Sequence, residues 1–277
     1  MILRREALLL LPAAGVVLVI FAVPVLLLVA VSFWSVKSFR LKPDFSLAAW
    51  ERFFTEYGFL TLYTLGIGVA VGVICTVLGL AFAYAARFKA GRFGDGLMIA
   101  VLITLFGGYL VKVYAWKTIL CADGIFNDAL IGLGLIDHPA PWLIYNRGTV
   151  VVTLVNFLLP FAILPIYAAM RNIPDAAVEA ARDLGATALQ TFGRIILPLA
   201  RTGVFSAFAF CFLIAAGDYV TPMLLGGASG RMLGQFVALE FSTRFNWPAG
   251  AAMSLGLLVA CTFLLGLTAV LLKPRRT

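Results

Sequence analysis

The sequence has little charge, and long stretches of it have none. Only 12% of its 277 residues are charged and 62% are hydrophobic, whereas about 25% charged residues is usual for a soluble domain. The charge-free runs Ala7–Ser35 and Phe59–Ala86 are both longer than the roughly 20 apolar residues that cross a bilayer. This scarcity of charge excludes a soluble globular protein and predicts an all-α integral membrane protein.

Residues that carry enzyme chemistry are also scarce or isolated. His138 is the single histidine and is interpreted as a surface residue, and the four cysteines show neither metal-ligand spacing nor a disulfide framework. The sequence contains no evident pair of carboxylates, no nucleophile beside a base and no Gly-rich phosphate-binding loop. We therefore expect no catalytic residue, no metal site and no cofactor in this chain, and any ATP chemistry must come from another chain.

Six apolar runs are present, and we predict that each crosses the membrane. They are Ala7–Ser35, Phe59–Ala86, Leu97–Leu120, Gly148–Met170, Thr202–Gly217 and Pro248–Leu272. A cleavable signal peptide is the alternative for the first run, but the apolar region of such a peptide is shorter. We predict that residues 1–277 form a single transmembrane domain.

The distribution of basic residues predicts the orientation. The net charge is +8, and twelve of the 21 Lys and Arg residues lie in the segments that we place inside: Arg4, Arg5, Arg87, Lys89, Arg92, Arg171, Arg182, Arg194, Arg201, Lys273, Arg275 and Arg276. Basic residues of membrane proteins gather in cytoplasmic loops. Both termini are therefore predicted to be cytoplasmic.

The first outer segment, residues 36–58, has a helical pattern. Leu47, Trp50, Phe54 and Tyr57 recur at helical spacing. Such a stripe is typical of an amphipathic helix that lies in the membrane interface with its aromatic rings at headgroup level.

The most polar internal stretch, residues 171–201, is predicted to be a helical loop on the cytoplasmic side. Pro174 suits the first turn of a helix, and Gly185 suits its end, where a positive φ is often needed. Thr187 and Gln190 form a capping-box pattern for a second short helix. Pro198 is predicted to limit that helix.

This loop resembles the EAA loop of permease subunits in binding-protein-dependent ABC importers. The resemblance lies in Glu179, Ala180, Ala181, Gly185, Ile195, Leu197 and Pro198. It implies six membrane helices in a type I importer permease fold, and a coupling loop (residues 171–201) that contacts an ATPase. We predict that Glu179 helps to orient the docking helix through Arg182, one turn further on. The alternative is an ordinary helical hairpin of a membrane protein.

Three further stretches are similar to the polyamine-type permeases of this group. They are Lys117-Thr118 through Asp137, GDYVTPMLLGG at 217–227 and NWPAGAA at 246–252. The resemblance implies location in the bacterial inner membrane and partners of three kinds: a second, related permease subunit, a pair of ATPase subunits that bind ATP and Mg²⁺, and a periplasmic binding protein. Polyamines, opines, 4-aminobutyrate-like amines and aminophosphonates all stay open as cargo, and Ala249, where a larger apolar residue is usual, weakens any finer assignment.

We also predict a translocation path for a cationic solute. Its candidate residues are an acid near the outer end of the fifth run and four aromatic residues: Asp218, Tyr219, Tyr109, Tyr114 and Trp247. Aromatic faces attract ammonium groups, and an acid at membrane depth is costly unless it faces protein or water. The alternative is that Asp218 pairs with Lys112 or Lys117, or caps backbone groups near Pro222. The two lysines are expected to snorkel to the interface.

Two other function classes compete with the importer permease. An ion-coupled secondary transporter often shows inverted repeats and acids at the midplane of its spans, and neither is evident here. A membrane-bound enzyme would need the catalytic groups that the sequence lacks. Uptake that depends on ATP hydrolysis separates the first hypothesis from both.

Overall fold

A computed structural model describes residues 2–37 and 40–271, with the side chains of 2–14, 17 and 271 excepted. The basic residues predicted at 273, 275 and 276 lie outside that part. The described chain is mostly helical, and its helices are α1 Ile2–Ser32, α2 Ala48–Glu56, α3 Gly58–Phe88, α4 Gly94–Leu105, α5 Tyr109–Leu120, α6 Ile125–Gly132, α7 Arg147–Arg171, α8 Asp175–Asp183, α9 Ala188–Thr191, α10 Leu197–Gly217, α11 Val220–Leu225, α12 Leu233–Ser242 and α13 Trp247–Leu271.

The chain divides into two compact units. The first, Met1–Thr61 with Phe236–Ala260, is here called the outer-helix unit because it contains α2 and α12. The second, Leu62–Gln235 with Cys261–Thr277, contains the coupling loop and is called the coupling unit. The predicted single domain stays a prediction.

In the outer-helix unit, a β-hairpin precedes the predicted amphipathic helix. Strands β1 Ser35–Lys37 and β2 Arg40–Lys42 pair antiparallel, and the sequence pattern did not predict them. The predicted amphipathic helix corresponds to α2, which is shorter than the segment 36–58. Trp50 of α2 donates its indole N–H to the Ser32 hydroxyl at 3.3 Å, so the helix is fastened to the end of α1.

In the coupling unit, α3, α7 and α10 surround the main core, and its centre is fully buried. Small residues allow the closest approach between helices. A Cβ on Gly203 of α10 would lie 2.5 Å from the carbonyl oxygen of Pro165 in α7, so only glycine fits there. Membrane helices associate through such close packing because lipid offers no hydrophobic drive between them.

The third predicted span is not one straight helix. The chain breaks after α4 at Phe106-Gly107-Gly108 and resumes in α5, and the two helical segments meet at a bend of 90°. Gly108 has extended backbone angles, with φ −54° and ψ 142°. The predicted span Leu97–Leu120 is therefore bent, because two adjacent glycines let the backbone leave the helical conformation.

Among the described residues, four helical segments are long and apolar enough to cross a membrane, and a fifth span results if the bent pair counts as one. The four are α3, α7, the continuous segment Ala188–Gly217 and α13. A shorter apolar stretch, Leu18–Ser32, lies in α1. The prediction of a helical, multi-pass membrane protein is confirmed, whereas the number six goes beyond this observation.

Candidate functional site

The coupling loop is held by backbone geometry that its sequence predicts in part. α8 begins at Asp175, with Pro174 at the N-cap rather than in the first turn. Gly185 has a φ of +79°, as expected for the end of this helix. Its N–H bonds the Arg182 carbonyl at 2.9 Å, while Ala186 N–H bonds the Ala181 carbonyl at 3.0 Å. This pair of bonds closes the end of α8.

The second helix of the loop begins as predicted but does not end where predicted. The capping box is complete, because Thr187 N–H bonds Gln190 Oε1 at 2.9 Å and Gln190 N–H bonds Thr187 Oγ1 at 3.3 Å. After α9 the chain passes through a π-helical segment, Phe192–Ile196, directly into α10. Pro198 therefore does not limit the helix: it lies in the first turn of α10, where a missing N–H is tolerated.

The residues of the coupling loop divide into a buried face, here called the anchored face, and an exposed face, here called the free face. Val178 and Ile196 pack into the main core, and Ala181 is also buried. Glu179, Ala180 and Arg182 are exposed. The ion pairs of the described residues do not join Glu179 to Arg182, so the expected orienting contact is absent. Ile195 and Leu197 are half-buried.

Another ion pair fastens the start of the coupling loop. Arg87 at the end of α3 donates to Asp175 Oδ1 at 2.7 Å. No local sequence pattern predicts this ion pair, because the two residues are 88 positions apart. Exposed apolar residues were also missed: Leu184 and Leu189 are 88% and 79% exposed. Leu189 lines an open apolar groove of about 440 Å³ with Val77, Leu80, Ala81 and Tyr84 of α3 and with Ala188 and Phe192.

The predicted path residues meet at a hydrogen-bond cluster. The Tyr109 hydroxyl, at the start of α5, donates to Asp218 Oδ1 at 2.5 Å, and it lies 2.8 Å from Thr221 Oγ1. Since the proton of Tyr109 goes to the carboxylate, Thr221 donates to Tyr109. Backbone N–H groups of Val220 and Thr221 donate to the two Asp218 oxygens, each at 3.2 Å. Asp218 thus caps the start of α11, and its three hydrogen-bond donors in the described part of the chain are all neutral.

These contacts decide between the alternatives given for Asp218. It forms no ion pair with Lys112 or Lys117 within the described residues, so that alternative is wrong. The capping alternative is confirmed by the two backbone bonds. The two backbone bonds bring no positively charged group to the Asp218 carboxylate. A role of this carboxylate in transport therefore stays a prediction.

The other path residues are not joined to this cluster. Tyr114 and Tyr219 are about half exposed, at 53% and 46%, and no side-chain hydrogen bond links either residue to Asp218 in the described part of the chain. Trp247 begins α13 in the outer-helix unit and packs edge-on against Phe241, with ring centroids 6.2 Å apart.

The outer-helix unit contains an acidic residue that sequence reasoning missed. Glu240 of α12 is completely buried, and its Oε1 accepts a hydrogen bond from Arg244 at 2.6 Å and lies 3.6 Å from Arg52. Glu240 raises the pKa of the Arg244 guanidinium through this hydrogen bond. A hydrogen bond to Glu56 raises the pKa of Arg52 in turn. The i,i+4 spacing of Glu240 and Arg244 was the available signal.

Comparisons with known proteins agree with this architecture. Residues 4–276 match the family model described as binding-protein-dependent transport system inner membrane component. The spermidine/putrescine transport system permease protein PotB of Haemophilus influenzae is 35% identical over 198 residues, 72% of this chain and 68% of that protein. PotB of Escherichia coli K12 is 31% identical over 226 residues, 81% and 82% of the two chains.

Solved structures support the fold. A chain of a bacterial ABC transporter that imports the acidic polysaccharide alginate has a TM-score of 0.76 at 15% identity, covering 99% of this chain and 98% of its own. The alginate transporter in complex with its pentasaccharide-bound periplasmic protein gives 0.73 at 18% identity, over 95% and 92%. The chain therefore belongs to the family of binding-protein-dependent transport system inner membrane components, and it is a permease subunit of an ABC importer.

Proposed function

We propose that this permease passes a small amine of the polyamine type from a periplasmic binding protein to the cytoplasm. The observation that carries the proposal is the match to spermidine/putrescine permeases over 81% of the chain in the E. coli relative. The uncompensated carboxylate of Asp218 beside an aromatic ring is chemically suited to an ammonium group. An ion-coupled secondary transporter is not favoured by any of these findings.

The complex contains three kinds of partner in this proposal. A second, related permease subunit completes the pathway, and a pair of ATPase subunits binds ATP and Mg²⁺, for which this chain supplies no site. A periplasmic binding protein delivers the cargo; the solved alginate transporter is likewise in complex with a ligand-bound periplasmic protein. We expect no catalytic residue in the chain itself.

Six spans with both termini in the cytoplasm fit the described helices. Four spans are the long apolar helices, the bent pair α4–α5 supplies a fifth and α1 supplies the sixth. Basic residues then concentrate on the inner side, as positively charged loops of membrane proteins do. Single cysteines at Ala186 and at His138, which is exposed whereas Ala140 is buried, are expected to react with impermeant reagents from opposite sides of the membrane, and labelling from one side would contradict this topology.

The coupling loop is proposed to transmit force from the ATPase without binding ATP. Its free face presents Glu179, Arg182 and the exposed Leu184, while Val178 and Ile196 anchor it to the core. Because α9 continues through Ile195 and Pro198 into α10, a displacement of the loop moves the span directly. Such rigid-body motion, biased by ATP on a partner chain, is a common way to switch between two states.

The experiment that tests this function starts from the intact complex purified from membranes. We expect a second permease chain and an ATPase to copurify, and we expect the cognate binding protein to bind spermidine or putrescine.

Gly185→Val is expected to lower ATP-driven uptake strongly, because a β-branched residue at φ +79° is strained. Gly193→Ala, an exposed helical position with open space for a methyl group, is the matched control. A binding protein that ignores amines would contradict the cargo, and normal uptake by Gly185→Val would contradict the coupling role.

A further inference from the structure

Lys112 is a positive charge in a membrane-spanning segment without an acidic partner. It lies in the first turn of α5, just after the 90° bend, and it is half-buried. None of the ion pairs in the described part of the chain includes it. An ionised group at membrane depth is costly unless protein or water replaces its hydration, and it usually marks a functional position.

An aromatic face takes the place of the missing carboxylate. The Lys112 Nζ atom lies 5.7 Å from the ring centroid of Phe157 in α7, within the range of about 6 Å over which an ammonium is attracted to a π-system. The Phe157 ring in turn packs against Tyr109, with centroids 4.7 Å apart. Tyr109 is the residue that bonds Asp218. The ammonium of Lys112 therefore sits on the aromatic side of the candidate amine site.

The bend in the third span gives the lysine this position. Side chains on a helix lean toward its N-terminus, so the stem of Lys112 reaches back over the break between α4 and α5. A Cβ on Gly107 would lie 3.3 Å from Lys112 Cε. Gly107 thus leaves room for the stem, and a methyl group there would press on it.

We propose that Lys112 is a tethered competitor for the cargo. In the resting permease its ammonium occupies the face of Phe157 beside Tyr109 and Asp218, and the ammonium of a delivered amine displaces it. This inference rests on the proposed function, since it requires an amine as cargo. The same fixed positive charge repels free cations, as basic groups do in other membrane pores, so the path stays closed to amines that no binding protein has delivered.

The test uses the complete complex in vesicles loaded with choline, a quaternary ammonium that binds aromatic faces and cannot lose its charge. Without ATP, Lys112→Gln is expected to raise choline efflux about tenfold over the wild-type complex. Lys112→Arg keeps a cation that stacks on aromatic rings and should match the wild type. Lys117→Gln is the matched control: it removes the same charge from the same helix, and no aromatic contact of Lys117 occurs in the described structure. Lys112→Met, which keeps an unbranched apolar stem without the charge, should give the same rise as Lys112→Gln.

Two outcomes would overturn the proposal. The first is choline efflux from Lys112→Gln that equals the wild-type efflux. The second is an equal rise in Lys117→Gln, which would show that the loss of net charge, and not the position of Lys112, causes the efflux. If Lys112→Gln does not assemble, Lys112→Met decides, and an unchanged efflux there overturns the proposal. Failure of the proposed function would look different. The wild-type complex would then take up no amine with ATP and binding protein present, whatever the variants do to choline efflux.

Discussion

Two acidic residues of this chain are partnered in opposite ways. Asp218 accepts hydrogen bonds from the Tyr109 hydroxyl and from two backbone N–H groups, all of them neutral donors. Glu240 is fully buried and bonds Arg244, with Arg52 nearby. The charge of Glu240 is therefore neutralised within the protein, whereas the charge of Asp218 remains available to a mobile cation. Removing Glu240 should damage the fold, and removing Asp218 should damage transport.

The largest effect is expected for Glu240→Ala. Arg244 loses its hydrogen-bond acceptor, Arg52 loses an ion-pair partner at 3.6 Å, and a cavity forms in a fully buried position, so we expect a loss of about 2 to 4 kcal/mol in the free energy of unfolding. The partial exposure of both arginines keeps the effect below that of a fully buried pair. Thermal unfolding of the purified complex in detergent measures it. Glu51→Ala, on the exposed surface of α2, is the control. A melting temperature equal to that of the wild type would contradict the interpretation that Glu240, neutralised by its arginine partners, stabilises the fold.

Asp218→Asn is expected to act on transport instead. The amide keeps the shape and one acceptor for capping α11, but it removes the negative charge. We expect ATP-driven amine uptake to fall about tenfold, the loss of roughly 1.4 kcal/mol of cation attraction, with assembly and ATPase activity retained. The matched control is Asp123→Asn, which removes an equal charge from an exposed position between α5 and α6. Unchanged uptake would show that Asp218 only caps backbone N–H groups at the start of α11 and has no role in transport.

Tyr109→Phe sharpens the comparison further. It removes the hydroxyl that donates to Asp218 but keeps the ring that packs against Phe157. Losing one hydrogen bond to a charged group costs about 1.5 to 3 kcal/mol when the acceptor stays dry, and less when water replaces the donor. Asp218 is half-buried, so we expect a fall in uptake of only about two- to fivefold. A loss as large as that of Asp218→Asn would show that the hydroxyl, not the carboxylate, carries the effect.

The smallest effect is expected for Arg244→Ala. Its side chain is 47% exposed, and Arg52 remains near Glu240 after the change. Because Glu240 is fully buried, losing the hydrogen bond from Arg244 costs about 1 to 3 kcal/mol, which is less than the loss expected for Glu240→Ala, and transport should stay normal. A destabilisation equal to that of Glu240→Ala would mean that Arg244 alone compensates the buried carboxylate.

Local signals in the sequence predicted the features that depend on a few neighbouring residues. The positive φ of Gly185 and the capping box of Thr187 and Gln190 follow from residues at most three positions apart, and both occur in the structure. Capping by Asp218 was among the alternatives for the same reason. The lengths of the apolar runs likewise predicted the first and last residues of α3, α7 and α13 to within a few positions.

Features that depend on distant parts of the chain were missed. The pair of Arg87 with Asp175 and the cluster around Glu240 join residues that sequence spacing does not relate, apart from the i,i+4 step to Arg244. The bend at Gly107-Gly108 was hidden inside an apolar run, because hydrophobicity reports membrane depth and not backbone direction. Pro198 was read as a helix end, although a π-helical segment carries the helix into α10.

The account is tested most directly by uptake into vesicles that contain the complete complex. Radiolabelled spermidine or putrescine is supplied outside with the cognate binding protein, and ATP is enclosed within. The account predicts accumulation of the amine that requires both the binding protein and ATP hydrolysis, and that falls about tenfold in Asp218→Asn. Accumulation that continues without ATP and follows an ion gradient, or the absence of any amine uptake by the wild-type complex, would contradict it.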